Sequence, residues 1–88
     1  MKVIVVFKDY TDHSREVLDW LRDFKTRTGH DLETIDPETR EGEAFCRAYD
    51  IVEYPSVIAT TDDGIRQQLW RGTPMPQISE VSYYTRNY

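Results

Sequence analysis

The chain has 88 residues, with 16 Asp and Glu against 11 Lys and Arg, a formal net charge of −5. That length suits one small domain spanning residues 1–88, near the size at which a single hydrophobic core only just suffices. The acidic balance argues against nucleic-acid phosphates and anionic membranes as partners, and the lone Cys46 excludes an internal disulfide or a multi-cysteine metal site.

Val3 to Phe7 is an unbroken run of β-branched and aromatic residues. Such a run fits a strand buried on both faces, hence a central and parallel one. Met1-Lys2 plus this run is too short for a signal-peptide core, and no apolar stretch reaches the roughly 18–20 residues of a membrane helix, so a cytoplasmic setting is expected. Lys8 to His13 is polar and reads as a loop.

From Ser14 to Thr28 the residues Val17, Leu18, Trp20, Leu21 and Phe24 recur at helical spacing, with Glu16, Asp19, Arg22, Asp23 and Lys25 on the other face. Thr11 or Asp12 is the expected N-cap and Gly29 the expected stop. Asp31 to Ile35 alternates polar and apolar residues, which predicts a second, half-exposed strand ended by Asp36-Pro37. Glu41 to Tyr49 predicts a short helix with Phe45, Cys46 and Tyr49 facing inward.

Pro55 cannot donate to a sheet ladder, so it introduces a third strand over Ser56 to Thr61. Asp62-Asp63-Gly64 is a hairpin turn, and Ile65 to Arg71 returns as an antiparallel fourth strand. After the breaker-rich Gly72-Thr73-Pro74-Met75-Pro76, a last helix is expected from Gln77 to about Tyr84. The order is β-α-β-α-β-β-α, an α/β arrangement of a four-stranded mixed sheet with three helices covering both faces.

That order resembles the thioredoxin/glutaredoxin fold over essentially the whole chain. The best-matched stretch is Cys46 to Ser56, which looks like the family's step from the second helix into a cis-proline and a strand. Asp62-Asp63-Gly64 and Trp70-Arg71-Gly72 look like its closing hairpin. The resemblance therefore implies a cis Tyr54–Pro55 bond. It also implies a Cys-x-x-Cys pair between the first strand and first helix, where this chain has Thr11-Asp12-His13-Ser14. A dithiol cycle needs a low-pKa thiolate and a resolving thiol beside it, and neither is present. No catalytic residue is assigned.

Tyr10, Thr11, Asp12, His13, Ser14, Tyr54 and Pro55 are the candidate binding residues. In the family, the backbone before the cis-proline can pair with an extended substrate. Tyr54 takes that position here, with Tyr10 as the opposite wall. The leading expectation is a redox-inactive module that binds a protein or peptide, with Gly72–Pro76 as a further contact.

The alternative is a glutathione or small-thiol binder or transferase that uses Thr11 and Ser14 in place of the cysteines, although Asp12 opposes an anion at that helix end. Against these stand plainer roles: a cap for Thr11 or Asp12, an exposed loop position for His13, a helix end for His30. Cys46 is expected as an inert core thiol, with redox signalling through it ranking last. The reading calls for no cofactor and no metal. Trp70 to Pro76 and Tyr83 to Tyr88 are rich in aromatic and Arg side chains, which suits either an interface or core packing.

Overall fold

The computed structural model describes residues 1–85; Arg86, Asn87 and Tyr88, counted above among possible interface residues, lie outside the described residues. The chain forms β1 (Lys2–Val6), α1 (Ser14–Thr28), β2 (Glu33–Ile35), α2 (Arg40–Tyr49), β3 (Ser56–Thr60), β4 (Arg66–Arg71) and α3 (Ile78–Tyr83). The four strands make one mixed sheet in the order β2-β1-β3-β4.

The doubly buried run is interior, as its composition requires, but only one of its neighbours is parallel. β1 runs parallel to β2, with Val5 opposite Thr34, and antiparallel to β3, with Ile4 opposite Ile58. A strand's composition reports burial on its two faces and not the direction of its neighbours.

Alternation along β1 divides the core in two. Val3, Val5 and Phe7, together with Val57 and Ala59, pack against Val17 and Phe24 of α1 and Val81 of α3. Ile4, Val6 and Ile58 point the other way, against Cys46 of α2 and Ile51. Trp20 lies 5.3 Å from the Phe24 ring and widens the first cluster.

α1 ends at Gly29, whose left-handed φ of 79° lets its N–H reach the Lys25 carbonyl. Its start corrects the expectation. Neither Thr11 nor Asp12 is the cap; His13 is, with no side-chain cap hydrogen bond. α2 is capped by Thr39, whose hydroxyl accepts the Gly42 N–H at 2.9 Å. It closes at Asp50 in a left-handed conformation with φ 60°, and Ile51 N–H then bonds the Cys46 carbonyl at 2.8 Å. That sharp exit turns the chain toward Pro55. Tyr49 donates its hydroxyl proton to the Gly64 carbonyl and ties α2 to the hairpin.

Trp70 proves to be partly a core residue. It packs on the first cluster, meets Tyr84 edge-on at 5.5 Å, and donates its indole N–H to Glu80.

Candidate functional site

The loop after β1 is shaped by its own hydrogen bonds. Tyr10 adopts φ 59°, a left-handed conformation that costs a non-glycine residue about 1–2 kcal/mol, and its side chain is fully exposed. Such outliers persist where the surroundings fix them. Three contacts do so here. Thr11 donates its hydroxyl to the Lys8 carbonyl at 2.7 Å. The Thr11 carbonyl accepts both the N–H and the hydroxyl of Ser14, at 3.1 and 3.0 Å. The Lys8 N–H is donated to Nε2 of His13 at 3.2 Å.

His13 is therefore not the free, exposed loop histidine that the sequence suggests. It is half-buried, and Nε2 is spent on holding the loop closed. An Nε2 that accepts an N–H in this way places the imidazole proton on Nδ1. Among the described residues no group of three or more His, Cys, Asp or Glu side chains is arranged to hold a metal.

The second loop carries Tyr54 and Pro55, joined by a cis peptide bond. Pro55 is buried, and its carbonyl accepts the Gly72 N–H at 2.7 Å, which fastens the loop after β4 to it. Ser56 secures the same turn by donating its hydroxyl to the Glu53 carbonyl. Gly72 has φ 72°, and an added Cβ there would run into the Glu53 carboxylate.

Two residues that the sequence did not connect to Tyr54 hold its side chain. Its ring packs on the core cluster that holds Cys46, and its hydroxyl interacts with the Cys46 thiol. From the side, the Lys8 ammonium stands 5.1 Å from its ring centroid, a cation–π contact that links the first loop to the second. Burial raises the Cys46 thiol pKa, more strongly than the Tyr54 hydrogen bond lowers it. Tyr54 is raised as well, first by burial and then by the bond and charge of Cys46. Both groups are thereby held protonated, and Cys46 has the character of a packed core thiol rather than a nucleophile.

The main chain of Tyr54 is different. Among the described residues neither its N–H nor its carbonyl has a hydrogen-bond partner. A clamped side chain beside an open backbone is what an added extended strand can use. Val52, two residues earlier, is 80% exposed and adds an apolar contact point on the same loop.

Lys8, Tyr54, Pro55 and Gly72 are thus linked by direct contacts, whereas Thr11 and Ser14 turn inward to the loop backbone and Asp12 makes no bond with them. Cys46 could have been suspected from its place on the inner face of α2, but no spacing rule brings it to Tyr54. Lys8 carries no sequence signal at all. A second cis bond, Thr73–Pro74, lies in the loop after β4.

No family model matches this chain, and no curated protein sequence does. Among solved structures it is similar to thioredoxin 1 from the thermophilic eubacterium Thermosipho africanus TCF52B, at 20% identity and a TM-score of 0.64, over 97% of this chain and 90% of that one. The likeness shows a thioredoxin-like fold. With Cys46 as its only cysteine, the chain has that fold without a Cys-x-x-Cys pair.

Proposed function

We propose that this thioredoxin-like chain is a redox-inactive module that binds an extended segment of a protein or peptide on its cis-proline face, in the cytoplasm. The observation that carries the reading is the Tyr54 backbone, unpaired on both its N–H and its carbonyl beside the buried Pro55. Main-chain pairing supplies affinity without demanding any particular chemistry from the partner, and flanking side chains supply selectivity. The exposed Tyr10 and Val52 are the side chains available for that second task.

A small-thiol or glutathione site has weaker support. The hydroxyl protons of Thr11 and Ser14 are already donated to the Lys8 and Thr11 carbonyls, which leaves neither for a thiolate or carboxylate. Signalling through Cys46 is opposed by its burial and raised pKa.

The test is a selection of random peptides displayed on phage against the wild type, followed by affinity measurement with Val52→Ala and Tyr10→Ala, the two exposed side chains of this face, alongside an insulin disulfide-reduction assay. Selected peptides that lose affinity for both variants, with no reduction above buffer, support the reading. Peptides that bind both variants as tightly as the wild type, or catalysed insulin reduction, count against it.

A further inference from the structure

A second surface lies between α1 and the loop after β4. The loop after β4 folds onto that helix and is pinned at two points. Trp20 donates its indole N–H to the Pro76 carbonyl at 2.8 Å, and the Met75 N–H is donated to the Glu16 carboxylate at 3.2 Å. Between helix and loop runs an open groove of about 630 Å³. Its apolar surface comes from Trp20, Pro74 and Met75.

The groove wall is strongly one-signed. Asp12, Glu16, Asp19 and Asp23 line it, against a single cation, Arg15. Their steps of four, three and four residues put them along one side of α1 and the turn before it, so they form a continuous ridge. Asp19 is paired with Arg22, and Glu16 holds Met75, but Asp12 and Asp23 have no ion-pair partner among the described residues. The other cations of α1 do not line the groove: Arg22 is paired with Asp19, Lys25 is paired with Asp31, and Arg27 lies in the last turn.

We propose that this groove binds a lysine- and arginine-rich segment of a partner protein carrying an apolar anchor. The anchor would lie against Trp20 and Met75, and the flanking cations against the Asp12–Asp23 ridge. Charge complementarity selects such an occupant: an acidic or neutral segment would bring like charge or nothing to four carboxylates. The face of Trp20 also attracts cations, arginine above all. This surface shares Asp12 and the loop after β4 with the region expected to bind a peptide, but it uses neither Tyr54 nor Pro55 and needs no main-chain pairing.

The test is calorimetric titration of the intact chain with an acetylated, amidated lysine–leucine repeat peptide, with a glutamate–leucine peptide of the same length as control. Three variants follow. Asp12→Asn/Asp19→Asn/Asp23→Asn removes the ridge, and these side chains are exposed enough to leave the fold intact. Glu33→Gln/Glu38→Gln/Glu41→Gln makes the same change in net charge elsewhere. Tyr10→Ala/Val52→Ala truncates the exposed side chains of the other proposed face.

The expected result is saturable, salt-sensitive binding of the lysine–leucine peptide only, weakened about tenfold by the first variant and left nearly unchanged by the other two. Absence of binding, or equal weakening by the two charge variants, overturns the proposal. Loss only in Tyr10→Ala/Val52→Ala assigns the peptide to the cis-proline face and also overturns it. Sedimentation showing a dimer that the first variant alone dissociates makes the occupant a second copy of this chain, which overturns the partner stated here.

Discussion

Replacing Gly42 by alanine sets two opposed effects against each other, and the structure decides the sign. Gly42 lies in the first turn of α2 with helical geometry, where alanine is the better helix former by about 1 kcal/mol. On propensity alone, Gly42→Ala should stabilise. But the Gly42 Cα rests on the backbone of Asp36, and an added Cβ would fall well inside contact distance of the Asp36 carbonyl.

That carbonyl cannot yield cheaply. It accepts the Thr39 N–H at 3.2 Å and the Thr39 hydroxyl at 2.9 Å, and the same Thr39 hydroxyl caps the helix through Gly42 N–H. Relieving the clash means opening those bonds, each worth about 0.5–1.5 kcal/mol, or straining the core by about 1–3 kcal/mol. Sterics win, and the net loss is about 2 kcal/mol. For a chain of this size that lowers the melting temperature by roughly 10 °C. Urea denaturation followed by circular dichroism measures it, with Gly29→Ala as comparison. At Gly29 nothing lies within 4 Å of the added Cβ, so only its left-handed φ is penalised, by about 1 kcal/mol. A Gly42→Ala midpoint equal to or above wild type would refute the reasoning and detach α2 from the Asp36 turn.

Other outcomes follow from the Tyr54 setting. Cys46 should react with iodoacetamide at least tenfold more slowly in the native chain than in urea at the same pH, since burial raises its pKa and shields it; equal rates would show an accessible thiol. Both Cys46 and Tyr54 have folded pKa values raised above their ordinary ones, so their contribution is fully present below the usual thiol value of 9.0 and is lost as pH rises through the raised values. The urea midpoint should therefore fall as pH rises above the usual thiol value of 9.0, and Cys46→Ser, which removes one of the two titrations, should shallow that fall; an unchanged slope would exclude Cys46 as its source. Gly72→Ala, which drives a Cβ toward Glu53 at φ 72°, should loosen the Gly72–Pro55 tie and destabilise by about 1–2 kcal/mol, read by hydrogen exchange at the Gly72 amide. Protection equal to wild type would mean that the tie is not what orders the two loops.

Much of the fold is legible in the sequence because burial periodicity is written residue by residue. Val3, Val5 and Phe7 against Ile4 and Val6 already announce a sheet covered on both sides, and Val17 to Phe24 announces the helix that covers one of them. What the pattern does not carry is direction. The antiparallel pairing of β1 with β3 depends on how the chain leaves α2 at Asp50, a left-handed turn made by an ordinary aspartate. The cap of α1 departs from the sequence expectation for a related reason. Thr11 has the right chemistry for an N-cap, but Tyr10 turns the chain so that the Thr11 hydroxyl meets the Lys8 carbonyl instead.

The candidate site divides in the same way. Tyr54 and Pro55 stand out locally, as an aromatic–proline step before a β-branched run. Lys8 and Cys46 reach Tyr54 only through tertiary structure, from a strand exit and from the inner face of a helix. The two bonds that clasp the loop after β4 to α1 join residues 56 and 59 positions apart, beyond any periodic signal.

An extended partner that pairs with the Tyr54 main chain must perturb the Tyr54 amide. Two-dimensional ¹⁵N–¹H spectra of the labelled chain, titrated with the tightest phage-selected peptide, test it most directly. The Tyr54 amide should shift most, with Lys8, Tyr10 and Gly72 following and the β2 amides unmoved. A bound peptide that leaves Tyr54 unshifted would contradict it.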